Sequence, residues 1–222
     1  TSWLWDMDGN GVDNHITQNP IHNYTNSGVY NVRLIVNAQG CSDTLYKDVF
    51  VNPRPDLDIT VEDECYEKAV EFDNNSTISM GAIDSVFWNF GDGTGMQASG
   101  LPFLNNEPVY FYGAPGVYNV SFMAQSDSGC TSSDQLTVEV FHLPVASFEA
   151  LNSCQYQTAE FIDLSTIVGA DIERWAWDFG DASDSAFTQD VEHDYQINGF
   201  VPVSLRIWTD EGCYDDTIVQ VE

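Results

Sequence analysis

Along the 222 residues, apolar and polar positions alternate in short runs instead of recurring at helical spacing. Tyr30-Asn31-Val32-Arg33-Leu34-Ile35-Val36 alternates and then ends in a short apolar stretch, and Tyr118–Ala124 and Val203–Trp208 repeat the pattern. Period two with β-branched and aromatic residues predicts half-buried strands. Clusters of Gly, Asn, Asp and Ser separate these runs, and no amphipathic helix longer than about two turns is predicted. Short strands punctuated by turn signals predict β-sandwiches, so the expected fold class is all-β.

The strands belong to a repeat. A tryptophan motif occurs as Trp5-Asp6-Met7-Asp8-Gly9, Trp88-Asn89-Phe90-Gly91-Asp92 and Trp177-Asp178-Phe179-Gly180-Asp181. Each copy is followed by a strand opening on Gly28, Gly116 or Gly199, and then by a Gly-Cys pair at Cys41, Cys130 or Cys213. His22-Asn23-Tyr24 and His193-Asp194-Tyr195 stand at equivalent places before the glycine and read as structural. The third copy lacks the strand tyrosine and carries Pro202, which predicts an edge or a bulge there. Met96 to Glu107 reads as a longer loop in the second copy. Proline-bearing junctions at Pro53-Arg54-Pro55 and Leu143-Pro144 divide the chain into 1–52, 53–143 and 144–222, and stiff junctions predict a rod-like array. The first of these is expected to lack its N-terminal strands.

Cys65 precedes Trp88 by 23 residues, and Cys154 precedes Trp177 by the same distance. This matched framework predicts disulfides Cys65–Cys130 and Cys154–Cys213, with Cys41 unpaired within the chain; buried free thiols are the alternative. Each bridge would close a loop of about 60 residues and stabilise by roughly 4 kcal/mol in the chain-entropy model. Disulfides imply an oxidising compartment.

The run Trp88 to Gly93, the Gly-Val-Tyr-Asn-Val strand and the closing Gly-Cys together resemble polycystic kidney disease (PKD) repeats. The resemblance covers nearly the whole chain and implies tandem immunoglobulin-like β-sandwiches. The first copy departs from the pattern at Met7-Asp8, and the third has Ala182 where the motif has glycine. Cysteine-bearing units of this kind are similar to those of large Bacteroidota surface proteins, including gliding adhesins exported by the type IX secretion system. The resemblance therefore implies a non-catalytic structural or adhesive segment of an extracellular, cell-surface or filament-forming protein. Its partners would be neighbouring PKD-like domains or further copies of the same protein. PKD units also accompany secreted hydrolases, which implies, as the alternative, a glycan-binding accessory module with surface glycans as partners.

Charge narrows the partners. Thirty-five Asp and Glu against six Lys and Arg give −29, which repels nucleic acid and anionic membrane. No apolar run approaches the ~18 residues of a membrane span. The bland reading of the charge is solubility; the sharper ones are cation binding and adaptation to salt water. Asp6-Met7-Asp8-Gly9-Asn10-Gly11 matches the first half of a calcium loop. Asp6, Asp8 and Asn10 would supply side-chain oxygens and Val12 a carbonyl, with Asp13 or Asn14 completing the shell, because calcium takes six to eight oxygens. The competing reading is a turn held by Asx hydrogen bonds. Trp5, Trp88 and Trp177 read as core residues packed on the disulfides, and Trp208, Phe103 and Tyr110 as better candidates for exposed contacts. No nucleophile, base and stabiliser come together, so no enzyme is expected. Eukaryotic N-glycosylation sequons at Asn23, Asn75 and Asn119 are weak. Asp followed by Ser or Thr and an apolar residue marks Thr44, Ser85, Ser185 and Thr217 as O-glycosylation candidates if the bacterial affiliation holds.

Overall fold

A computed structural model describes residues 1–100, 107–151, 158–196 and 198–222. The first repeat contributes β1 (Ser2–Asp6), β2 (Gly28–Ala38) and β3 (Cys41–Val51). The second contributes β4 (Ile59–Val61), β5 (Glu64–Cys65), β6 (Val70–Asn74), β7 (Ile83–Asn89), β8 (Met96–Gly100), β9 (Val109–Tyr110), β10 (Gly116–Ser126) and β11 (Thr131–Phe141). The third contributes β12 (Phe148–Leu151), β13 (Thr158–Asp163), β14 (Ile172–Asp178), β15 (Val191–Asp194), β16 (Val201–Thr209) and β17 (Tyr214–Val221). The described residues contain strands and turns but no helix. The fold is all-β, as the period-two pattern predicts.

The repeat is visible in the pairing. Sheets β1-β2-β3 and β14-β16-β17 have the same order, and β5-β11-β10-β7-β8 contains the equivalent strands β7, β10 and β11. Sheets β4-β6-β9 and β12-β13-β15 are likewise equivalent. Met96–Gly100, expected as loop, pairs with β7 as the second strand of a hairpin. Residues 101–106, including Phe103, lie outside the described residues.

By packing, the chain forms two compact units. One comprises Thr1–Thr60, Asp73–Glu107 and Val120–Leu136; the other comprises Val61–Phe72, Pro108–Asn119 and Thr137–Glu222. In the first unit, Trp88 is buried against Phe122, with ring centroids 4.5 Å apart. This unit also holds a cavity of about 300 Å³ lined by Trp5, Met7, Tyr24, Leu34, Leu45 and Val49, among others. In the second unit, the third repeat forms a two-layer core. Alternate residues of β16 (Val201, Val203, Leu205, Ile207) point inward, and Trp177 meets Phe148 at 5.2 Å and Phe161 at 5.8 Å. Burying a large aromatic side chain removes 150–250 Å² from water, so these rings dominate the stability of the sandwich.

Pro202 lies in β16, the central strand of its sheet, rather than at an edge. It is tolerated because the β14 pairing stops at Asp178↔Ser204, before the proline is reached. On that side β16 has no ladder for Pro202 to break.

Candidate functional site

Three loops and one disulfide carry the functional questions. Each loop is the tip of a hairpin in which the motif tryptophan is paired: Trp5 with His15, Trp88 with Gln97 and Trp177 with Ala186. The residue after tryptophan accepts a hydrogen bond from the glycine amide of its own loop. Gly9 N–H donates to Asp6 Oδ1 (2.9 Å), Gly91 N–H to Asn89 Oδ1 (3.0 Å) and Gly180 N–H to Asp178 Oδ1 (3.0 Å). A second Asx turn follows in every copy: Val12 N–H to Asn10 Oδ1 (2.8 Å), Thr94 N–H to Asp92 Oδ1 (3.0 Å) and Ser183 N–H to Asp181 Oδ1 (3.1 Å). The Asp-x-Asp-x-Asn-Gly string of the first repeat is therefore the common motif with one residue, Asp8, inserted.

This arrangement decides how the proposed calcium ligands are used. Both Asp6 oxygens are taken by loop amides, from Gly9 and from Gly11 (2.8 Å). Asp8 Oδ2 accepts the Asn10 amide (2.9 Å), and Asn14 Oδ1 accepts Met7 N–H (3.0 Å). Arg33 is the cation of the loop: it bonds Asp13 at 2.8 Å, lies 4.0 Å from Asp6 Oδ2 and donates to the Gly11 carbonyl. Burial alone would raise the Asp6 carboxyl, but the Gly11 and Gly9 amides, Asp8 and Arg33 together hold it below the usual carboxylate range. The oxygens named for calcium thus accept N–H groups of their own loop and face Arg33, the pattern of a turn held by Asx hydrogen bonds. Among the described residues, no three His, Cys, Asp or Glu side chains gather as metal ligands.

Two tyrosines latch the first and third loops. Tyr24 donates to the Met7 carbonyl (3.0 Å) and Tyr195 to the Phe179 carbonyl (3.1 Å). Burial first, then the Asp181 and Asp178 charges, push Tyr195 up to about 12, so its hydroxyl keeps the proton it donates. His193 stacks on Phe179 at 4.0 Å and places Nε2 2.8 Å from Asp181 Oδ2. Burial would raise the Asp181 carboxyl, but hydrogen bonds from Ser183 and His193 bring it below its ordinary value. The signal for these latches was the His-x-Tyr string at matched positions.

Trp88 and Trp177 are 1% exposed, whereas Trp5 is only half-buried. Trp5 Nε1 donates to the Thr17 carbonyl (3.0 Å) and Trp177 Nε1 to Thr188 (2.9 Å). Trp177 has phenylalanines as its ring neighbours, not a disulfide within the core. Of the aromatic residues expected to be exposed, Trp208 is half-buried under Arg174, whose guanidinium lies 4.9 Å from the ring. Tyr110 is half-buried, edge-on to Tyr112. Thr44 is exposed on β3 and Ser185 in a loop, while Ser85 and Thr217 are half-buried on strands.

The disulfide differs from the expected pairing. Cys65 is bonded to Cys213, with Cα atoms 5.6 Å apart and 148 residues between them in sequence. Cys130 is half-buried and free, Cys41 is exposed and free, and Cys154 lies outside the described residues. Cys65–Cys130 is ruled out by β11, which has Cys130 before its first residue and Cys65 paired to its last, Phe141. Eleven residues of strand span roughly 35 Å at ~3.3 Å each, against the ~7 Å Cα separation a disulfide allows. Cys154–Cys213 is ruled out because Cys65 occupies Cys213. The bond therefore joins the second repeat to the third. Matched spacings identify equivalent cysteines but not their connectivity.

The family model of the PKD domain matches residues 52–140 and 142–221. Among solved structures, the chain is similar to the PKD1 domain of Vibrio anguillarum Epp, at 27% identity over 36% of this chain and 94% of that one, with a TM-score of 0.32. It is also similar to the PKD1 domain of the Vibrio cholerae metalloprotease PrtV, at 27% identity over 40% of this chain and 98% of that one, with a TM-score of 0.31. Three N-terminal domains of the bacteriophage RB49 Hoc protein align over 99% of this chain and 84% of that one, at 12% identity and a TM-score of 0.48. The family model covers well over half of the sequence, and the chain belongs to the PKD domain family.

Proposed function

We propose that this chain is a non-catalytic spacer and interaction array in a large extracellular protein displayed at the cell surface, with consecutive PKD repeats strapped together covalently. The observation that supports this most directly is the Cys65–Cys213 bond between repeats. A pull on the chain ends passes from residue 65 to residue 213 through sulfur, so the segment between them stays folded while the ends take the load. Prolyl junctions at Pro53-Arg54-Pro55 and Leu143-Pro144, and a net charge of −29 that favours solubility, suit the same role. The finer reading, an adhesive segment like those of bacterial surface adhesins, rests on the cysteine-bearing repeat pattern.

Single-molecule pulling from the two termini tests the strap. A separation of 148 residues at ~3.5 Å each hides roughly 50 nm of contour length. The oxidised chain is expected to extend that much less than the chain in a reducing agent. Equal extension in both conditions would remove the proposed role.

A further inference from the structure

We infer that the disulfide between repeats is a repeating, directional linkage, and that Cys130 is a second receiving thiol, built to bond the Glu-Cys strand of an adjoining PKD repeat. The inference rests on the strap reading and extends it to a site that has no bond within this chain. Cys130 and Cys213 sit in the same turn. Ser126 N–H donates to the Cys130 carbonyl (2.9 Å), as Thr209 N–H does to Cys213 (2.8 Å). Gly129 N–H donates to the Ser126 carbonyl (2.8 Å), as Gly212 N–H does to Thr209 (3.0 Å). The cysteine amide is held by a buried hydroxyl in both, Ser126 Oγ at 3.1 Å and Thr209 Oγ1 at 3.2 Å. Cys41 follows a tighter hairpin, closed at Ala38↔Cys41, and is not part of the inference.

A strand end like the one that receives Cys65 also lies beside Cys130. Cys65 reaches Cys213 from a short strand laid parallel on the end of β11, with Cys65 opposite Phe141 and Tyr66 N–H bonded to the Phe141 carbonyl (2.9 Å). The residue equivalent to Phe141 in the first repeat is Asn52: each stands three residues before the proline that precedes an equivalent bridge, Asp56↔Thr77 or Val145↔Thr166. The Cys130 sulfur lies 4.0 Å from the Asn52 carbonyl. Among the described residues, the strand leading to Asn52, β3, is an edge strand, whereas the same edge of β11 is occupied by β5. Cys130 thus has the turn and the adjacent strand end that the bonded pair uses. Bond formation removes one hydrogen from each thiol. The two protons and two electrons go to a small-molecule or protein disulfide, which is reduced to two thiols through a mixed-disulfide intermediate.

A full-length chain with a second copy of residues 53–143 inserted after Leu143 tests this, the inserted copy carrying Glu67→Asp as a mass tag in the exposed part of the Cys65 peptide. Non-reducing peptide mapping is expected to link the untagged Cys65 peptide to the Cys130 peptide, and the tagged one to Cys213. Cys130→Ser in the inserted copy alone should then release the untagged Cys65 as a free thiol, whereas the same change in the original copy should leave both links intact. The inference is overturned if the tagged Cys65 peptide is found on Cys130, or if Cys130 of the inserted copy is alkylated while the tagged peptide stays on Cys213. The second of these outcomes would leave the Cys65–Cys213 strap itself standing.

Discussion

Ala182 holds φ at 65°, the left-handed conformation that the second repeat gives to Gly93 (φ 86°). A non-glycine residue pays about 1–2 kcal/mol for that region, so Ala182→Gly is expected to stabilise the third repeat by about 1 kcal/mol. Gly180 behaves in the opposite way. A Cβ there would run into the Pro202 carbonyl, and φ is already +73°. Gly180→Ala should cost about 2–3 kcal/mol, and urea unfolding followed by Trp177 fluorescence would read both changes. In the first repeat, Asp6 has a depressed carboxyl in the fold, so its contribution is fully present above the ordinary carboxylate value of 3.8 and is lost as pH falls through its lower folded value. The Gly9 and Gly11 amides should lose hydrogen-exchange protection as pH drops through that window. Asp6→Asn should weaken their protection already at neutral pH, and unchanged protection there would count against the assignment. At this scale the sequence was legible as chemistry but not as use. Alternating Asp and Asn serve a metal loop and a pair of Asx turns equally well, and Arg33, the cation that faces this loop, is brought in by a distant strand.

Strands were the most legible feature, because period-two alternation is a direct imprint of one buried face. β16 shows it most clearly, with Val201, Val203, Leu205 and Ile207 buried and Pro202 and Arg206 outside. β3 was less legible, being exposed along most of its length. Pairing between elements was not written in the alternation at all. The hairpin strand β8 follows a Gly-rich turn that reads as loop, and the position of Cys65 depends on a two-residue strand docking at the far end of β11. The role of the core can be tested at Trp177, which bridges the two layers of the third repeat. Trp177→Ala should cost about 3–5 kcal/mol, as large aromatic deletions do in packed cores. Calorimetry should show the loss confined to the transition in which the third repeat unfolds, and an unshifted transition would mean that the ring is not a core element.

At the scale of the whole chain, two long-range forces oppose each other. Thirty-five acidic residues against six basic ones leave most carboxylates without an opposite charge, so the folded chain repels itself. The Cys65–Cys213 bond acts mainly on the unfolded chain: closing a loop of 148 residues is worth about 5 kcal/mol in the chain-entropy model. It also keeps the unfolded chain compact and therefore close to its own charges. Salt shortens the screening length from about 30 Å near 0.01 M to about 8 Å near 0.15 M, which relieves repulsion most where charges are crowded. The folded state should gain more from salt than the expanded unfolded state, so Tm should rise with added sodium chloride, and equally with tetramethylammonium chloride if screening is the cause. Cys213→Ser lets the unfolded chain expand and shed its repulsion, which widens the difference between the two states. The variant should therefore melt lower and respond more steeply to salt than the parent. Calorimetry of both chains at the two salt concentrations measures the two slopes; equal slopes would show that the disulfide does not hold the unfolded chain's charges together.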